Sequence, residues 1–77
     1  MDPYQSLANT IVISACKDYR KAYKRYLRRL HLTDEKDSDL LELERFFRSG
    51  WYGMLTNLDG EVLMSGVRRM VRQEVAA

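Results

Sequence analysis

The sequence predicts an all-α domain: a small bundle of three main helices plus one short connecting helix. Three observations lead there. Apolar and aromatic residues recur in steps of three and four, the period of one helix face. The single proline, Pro3, sits where a helix can begin, and no Pro/Gly-rich linker, repeat or low-complexity tract interrupts the chain. Capping residues stand ahead of each periodic run.

Pro3, with Asp2 before it as N-cap, opens the first helix. Its apolar stripe runs Tyr4, Ala8, Ile11 or Val12, Ala15, Tyr19, Ala22, Tyr26 and Leu30. A helix over about 3–31 would be close to 40 Å long. A second, weaker stripe of Ile13, Cys16, Tyr23 and Leu27 widens the apolar face, enough to touch two neighbours or one neighbour and a second copy. The break HLTDEKDSD follows, with Thr33 or Ser38 available as a cap and acids suited to the positive end of a helix over about 34–48. That helix turns Leu40, Leu43 and Phe47 to one side, with Leu41 and Phe46 beside them.

The stretch FFRSGWY gathers aromatics on both sides of a break, and Gly50 lies at a natural helix stop. Large side chains flanking a tight turn fill the wedge between two helices, so Phe46, Phe47, Trp51 and Leu55 are expected to form a packed core corner. Trp51, Leu55 and Leu58, with Met54 next to them, define a short helix at about 51–58. Asp59 caps a last helix over about 60–75, with Leu63, Val67, Met70 and Val71 inward and Arg68, Arg69 and Arg72 outward. A hairpin turning at Asp59-Gly60 is the rival reading, disfavoured by poor alternation around the turn. Gly53 and Gly66 fall inside expected helices and cost each about 1 kcal/mol unless close packing requires them.

With 77 residues the chain makes one domain, 1–77. A single core of that size supplies roughly 3–5 kcal/mol, so a staple or a partner is often needed. Cys16 is the one cysteine and His31 the one histidine, too few for a disulfide or a Cys/His metal site. Extra stability must come from helix packing or from self-association, and a homodimer or higher oligomer is therefore expected. The start MDPYQSLANT lacks the basic and apolar regions of a signal peptide. No strictly apolar run exceeds three residues, which argues against a membrane span and for a cytoplasmic protein.

Catalysis finds little support. The four glycines match neither a P-loop nor a dinucleotide fingerprint, and the acids at 34–44 lack calcium-loop spacing. His31 at the end of the basic helix suits the helix dipole, and Cys16 on the packing side reads as a small apolar residue. The chain is expected not to be an enzyme, and no cofactor is expected.

Net charge is +2, but the charges are segregated. Residues 17–29 hold seven bases (Lys17, Arg20, Lys21, Lys24, Arg25, Arg28, Arg29) against Asp18, and 34–44 hold six acids against Lys36. Arg68, Arg69 and Arg72 form a second basic group. Lys17, Lys21, Lys24 and Arg28 are spaced four, three and four, a continuous stripe that Arg20, Arg25 and Arg29 widen. The favoured reading pairs this stripe with Asp37, Asp39, Glu42 and Glu44 of an antiparallel second helix. The alternatives are nucleic-acid or nucleotide-phosphate binding, with Tyr19, Tyr23 and Tyr26 stacking on bases, or an acidic protein partner. The face carries alanines and tyrosines where a membrane-surface or calmodulin-target helix would carry bulky anchors.

The segment LELERFFRSGWYGMLTNLDGEVLMSGVRRM resembles small proteins encoded in prophages and integrated mobile elements of Gram-positive (Firmicutes) gut bacteria. Their pattern of Glu-Arg-Phe-Phe-Arg-Ser, an aromatic pair, Leu-Thr, Asp-Gly-Glu and an apolar-basic tail falls here on 44–49, Trp51 and Tyr52, Leu55 and Thr56, 59–61 and 63–69. The stretch 18–21 is similar to the end of their first helix, and the likeness covers most of the chain. It implies no site residues. It implies a mobile-element setting in the bacterial host cytoplasm, where short accessory proteins bind host factors, including antiviral defence components; an anti-CRISPR or similar anti-defence inhibitor is the concrete version.

Overall fold

The computed structural model describes residues 2–76. It contains four helices and, among the described residues, no strand: α1 (Pro3–Arg28), α2 (Ser38–Phe47), α3 (Gly50–Leu55) and α4 (Gly60–Ala76). Helix α1 is the long axis of a 45 × 25 × 16 Å body. Asp2 caps it, its carboxylate accepting from the Tyr4 amide at 2.9 Å.

Helix α1 ends at Arg28, and residues 29–32 form a turn, so His31 lies beyond the helix and not at its C-terminal dipole. The chain must leave the helix there to reverse direction. Helix α2 starts at 38 rather than 34 because Asp37, not Thr33 or Ser38, is the cap: its carboxylate accepts from the Leu40 amide at 2.9 Å. Thr33 instead accepts from the Glu35 amide and shapes the preceding turn. Asp59 accepts from the Glu61 amide at 2.8 Å and starts α4 at Gly60, so the hairpin does not form.

Helix α2 runs antiparallel to α1, with Asp39 beside Arg25 and Glu44 beside Tyr19. Helix α4 runs along α1 in the same direction, Arg68 against Tyr19 and Arg72 against Tyr23. The core between them is Val12, Ala15, Tyr19, Ala22, Tyr23, Leu40, Phe47, Tyr52, Met64, Val67 and Val71. Tyr4 and Leu30, at the two ends of the expected α1 stripe, are exposed, because α1 is longer than the helices that cover it.

The corner at 46–52 forms, with one correction. Ser49 caps α3 by accepting from the Tyr52 amide and donates to the Phe46 carbonyl at 2.6 Å, tying α3 to the end of α2. Phe46, Phe47 and Tyr52 meet edge to face at 5.4–5.8 Å between ring centres. Phe47 is buried, and Phe46 and Leu55 are partly buried against it. Trp51 is not part of this corner: it is 61% exposed, and Tyr52 takes the inward position. One residue is about 100° of helix, so turning Tyr52 inward turns Trp51 out.

Helix α4 is rotated in the same sense. Met64, Val67 and Val71 are buried, whereas Met70 is exposed. Gly53 and Gly66 face open space, so close packing does not account for either.

The Tyr52 side chain is 3% exposed, and its hydroxyl has no hydrogen-bond partner among the described residues. An unpaired buried hydroxyl costs about 1–3 kcal/mol. Tyr52→Phe keeps the ring contacts and removes that cost, so we expect it to raise Tm by about 4–8 °C per kcal/mol recovered. A thermal melt showing a lower Tm would mean that the hydroxyl is satisfied.

Candidate functional site

Two surfaces and one internal polar cluster carry the side chains with functional potential. The internal cluster lies where α1, α2 and α4 meet. Glu44 is 4% exposed, accepts from the Tyr19 hydroxyl at 2.9 Å and from Lys36 Nζ at 2.9 Å, and lies 3.9 Å from Arg68 Nη1. Arg68 in turn donates to Tyr19 Oη at 3.1 Å and to Ser65 Oγ at 3.2 Å. Burial pushes the Tyr19 phenol up to about 12. Burial alone would also raise the Glu44 carboxyl, but the hydrogen bonds from Lys36 and Tyr19 outweigh it and hold it below its ordinary range. Arg68 therefore does not face out as expected, and Arg72 stacks over Tyr23 with its guanidinium carbon 5.9 Å from the ring centre. Of the second basic group, Arg69 alone is exposed without a charge or ring partner among the described residues.

Sequence reasoning missed Glu44 as a core group. The signal was present, because Leu40, Glu44 and Phe47 share one face of α2 at steps of four and three.

On α1 the flanking Arg20 and Arg25 are paired, and on the crest only Lys24 is, among the described residues. Arg20 binds Glu74 at 2.6 Å, with Lys24 a distant second at 3.8 Å. Arg25 lies 3.2 Å from Asp39 and 3.7 Å from Asp37. Lys17, Lys21, Arg28 and Arg29 form no ion pair among the described residues. The expected neutralisation by α2 is thus confined to Arg25, since Glu44 points inward and Glu42 pairs with nothing among the described residues. A shallow groove of about 360 Å³, lined by Asp18, Lys21, Ala22, Arg25, Asp39, Glu42 and Leu43, separates the crest from α2. Tyr19 and Tyr23 are in the core and Tyr26 packs against it, so the tyrosines are not presented for base stacking.

The second surface is apolar. Trp51 and Met54 on α3 and Leu58 in the following turn stand 61%, 87% and 58% exposed. Leu55, which sits between them, faces the core. Beside them, Gln5, Met54, Leu55, Thr56, Asn57 and Leu58 line an open hollow.

Among the described residues no group of three or more His, Cys, Asp or Glu is placed to hold a metal ion, and no helix is long and apolar enough to cross a membrane. Cys16 is half-buried, and burial raises its thiol above the ordinary value, away from the thiolate form that nucleophilic chemistry needs. No family model, curated protein or solved structure matches this chain.

Proposed function

We propose that the protein works without catalysis, by docking its α3 corner onto another protein. The carrying observation is the exposure of Trp51, Met54 and Leu58 within one eight-residue stretch. Burying them in the core would gain free energy, yet they stand in water. Apolar side chains clustered in this way mark interaction surfaces, and tryptophan is enriched among the residues that dominate binding energy. The resemblance to mobile-element proteins makes the partner a bacterial host factor in the cytoplasm, with inhibition of an antiviral defence component as the specific form.

The test is capture from a Firmicutes lysate with wild type and with Trp51→Ser/Met54→Ser, followed by titration calorimetry on the partner recovered. The double variant is expected to bind at least roughly 30-fold more weakly, the loss of a binding hot spot of about 2 kcal/mol. Equal affinity of the two proteins would refute the docking surface. Self-association through the same side chains is the competing use, and light scattering separates them: a mass of 9.1 kDa at high concentration leaves the corner free for a foreign partner.

A further inference from the structure

We infer that the solvent-facing crest of α1 is a binding surface for the phosphate backbone of double-stranded nucleic acid. This site is independent of the α3 corner. Lys17, Lys21, Lys24 and Arg28 lie on the side of α1 opposite its buried residues, Val12, Ala15, Tyr19 and Ala22. From Lys17 to Arg28 the row spans about 16 Å of helix, with neighbouring side chains about 5–6 Å apart. It is a straight, evenly spaced line of cations on a rigid element, the arrangement that displaces counterions from a row of phosphates.

Which acids the structure gives to which bases decides between this and internal neutralisation. Glu74 is held by Arg20, Asp37 and Asp39 reach Arg25, and Glu44 is buried against Lys36 and Tyr19. Among the described residues only Lys24 on the crest forms an ion pair, at 3.8 Å from Glu74, while Asp18, Asp39 and Glu42 share a groove with Lys21 without pairing to it. Asp39 and Glu42 on one side and Glu74 on the other confine the positive strip to the width of one helix face, which aligns a polyanion along the helix axis.

A nucleic acid fits this face better than an acidic protein does. Ser14 and Ile13 are both exposed in the turn before Lys17, and from Lys17 to Arg28 the crest itself carries no aromatic or aliphatic anchor of the kind protein interfaces bury at their centre. A duplex fits better than a single strand, because the α1 tyrosines are turned into or against the core and leave no stacking platform. Backbone contact alone predicts sequence-independent binding.

The experiment is fluorescence anisotropy of a labelled mixed-sequence DNA duplex titrated with the full chain at several salt concentrations. Four phosphate contacts predict that log Kobs falls with log salt at a slope of about −3.6, a loss of roughly a hundredfold between about 50 and 200 mM salt. Lys17→Gln/Lys21→Gln/Lys24→Gln/Arg28→Gln is expected to abolish binding with an unchanged melting curve, and Arg69→Gln to leave it intact. Lys17→Gln/Lys21→Gln, which breaks no ion pair, is expected to reduce the slope by about 1.8. The inference is overturned if the quadruple variant binds like wild type, if Arg69→Gln weakens binding as much as it does, or if a Glu-rich peptide binds where the duplex does not.

Discussion

Gly60→Ala is expected to unfold the protein. Gly60 begins α4 where that helix meets the end of α2, and a Cβ there would collide with the Phe47 carbonyl oxygen and lie 3.0 Å from its carbon. Neither atom can yield easily. The Phe47 ring is locked between Tyr19, Phe46 and Tyr52, and the carbonyl belongs to the last turn of α2. Helix α4 would have to lift away, loosening Met64 and Val67 from the core. Overpacking of this kind costs about 3 kcal/mol or more, against a total of roughly 3–5 kcal/mol for a single core of this size. Circular dichroism should show lost helix at room temperature. Gly66→Ala is the control: nothing lies within 4 Å of its added Cβ, and replacing a helix-interior glycine should stabilise by about 1 kcal/mol. A Gly60→Ala protein melting within a few degrees of wild type would show that α4 is not seated on Phe47.

Removing the buried carboxylate is the second large effect. Glu44→Ala leaves the Tyr19 hydroxyl, Lys36 and Arg68 facing a void without their anion. Breaking such a charge-assisted cluster costs about 3 kcal/mol, or a Tm drop of roughly 12–24 °C in a domain of this length. Glu44→Gln keeps an acceptor and much of the volume and should cost less.

The same group sets the acid response. The folded-state pKa of Glu44 is lowered, so its carboxylate contributes stability that is complete above the unfolded value of about 4.3 and disappears as pH falls through the folded pKa. Glu61, held low chiefly by its hydrogen bond from Arg48, acts in the same direction but at the surface, where the effect is small. Melts from neutral pH downward should show wild-type Tm falling below about pH 4 and a flatter profile for Glu44→Gln. Parallel profiles for the two proteins would remove Glu44 as the acid-sensitive group.

Much of the architecture was legible in the residues. Asp2-Pro3 marked the start of α1 and its three-four periodicity marked the length, while Ser49 and Gly50 marked the corner. The basic stripe was legible too, since four-three-four spacing places side chains on one helix face whatever the rest of the molecule does. Glu44 could have been recognised from its place between Leu40 and Phe47.

Local sequence determined that these segments are helices, where they break, and which charges share a face, because period, capping and chain stiffness act within a few residues. Tertiary structure decided the rotation of each short helix and the partner of each charge. A six-residue α3 has too few turns to fix its own phase, so the seating of Tyr52 against Phe46 and Phe47 chose the inward side and left Trp51 in solvent. The rotation of α4 likewise drew Arg68 inward to Tyr19. With Glu44 buried and Glu74 held by Arg20, the crest of α1 kept its positive charge.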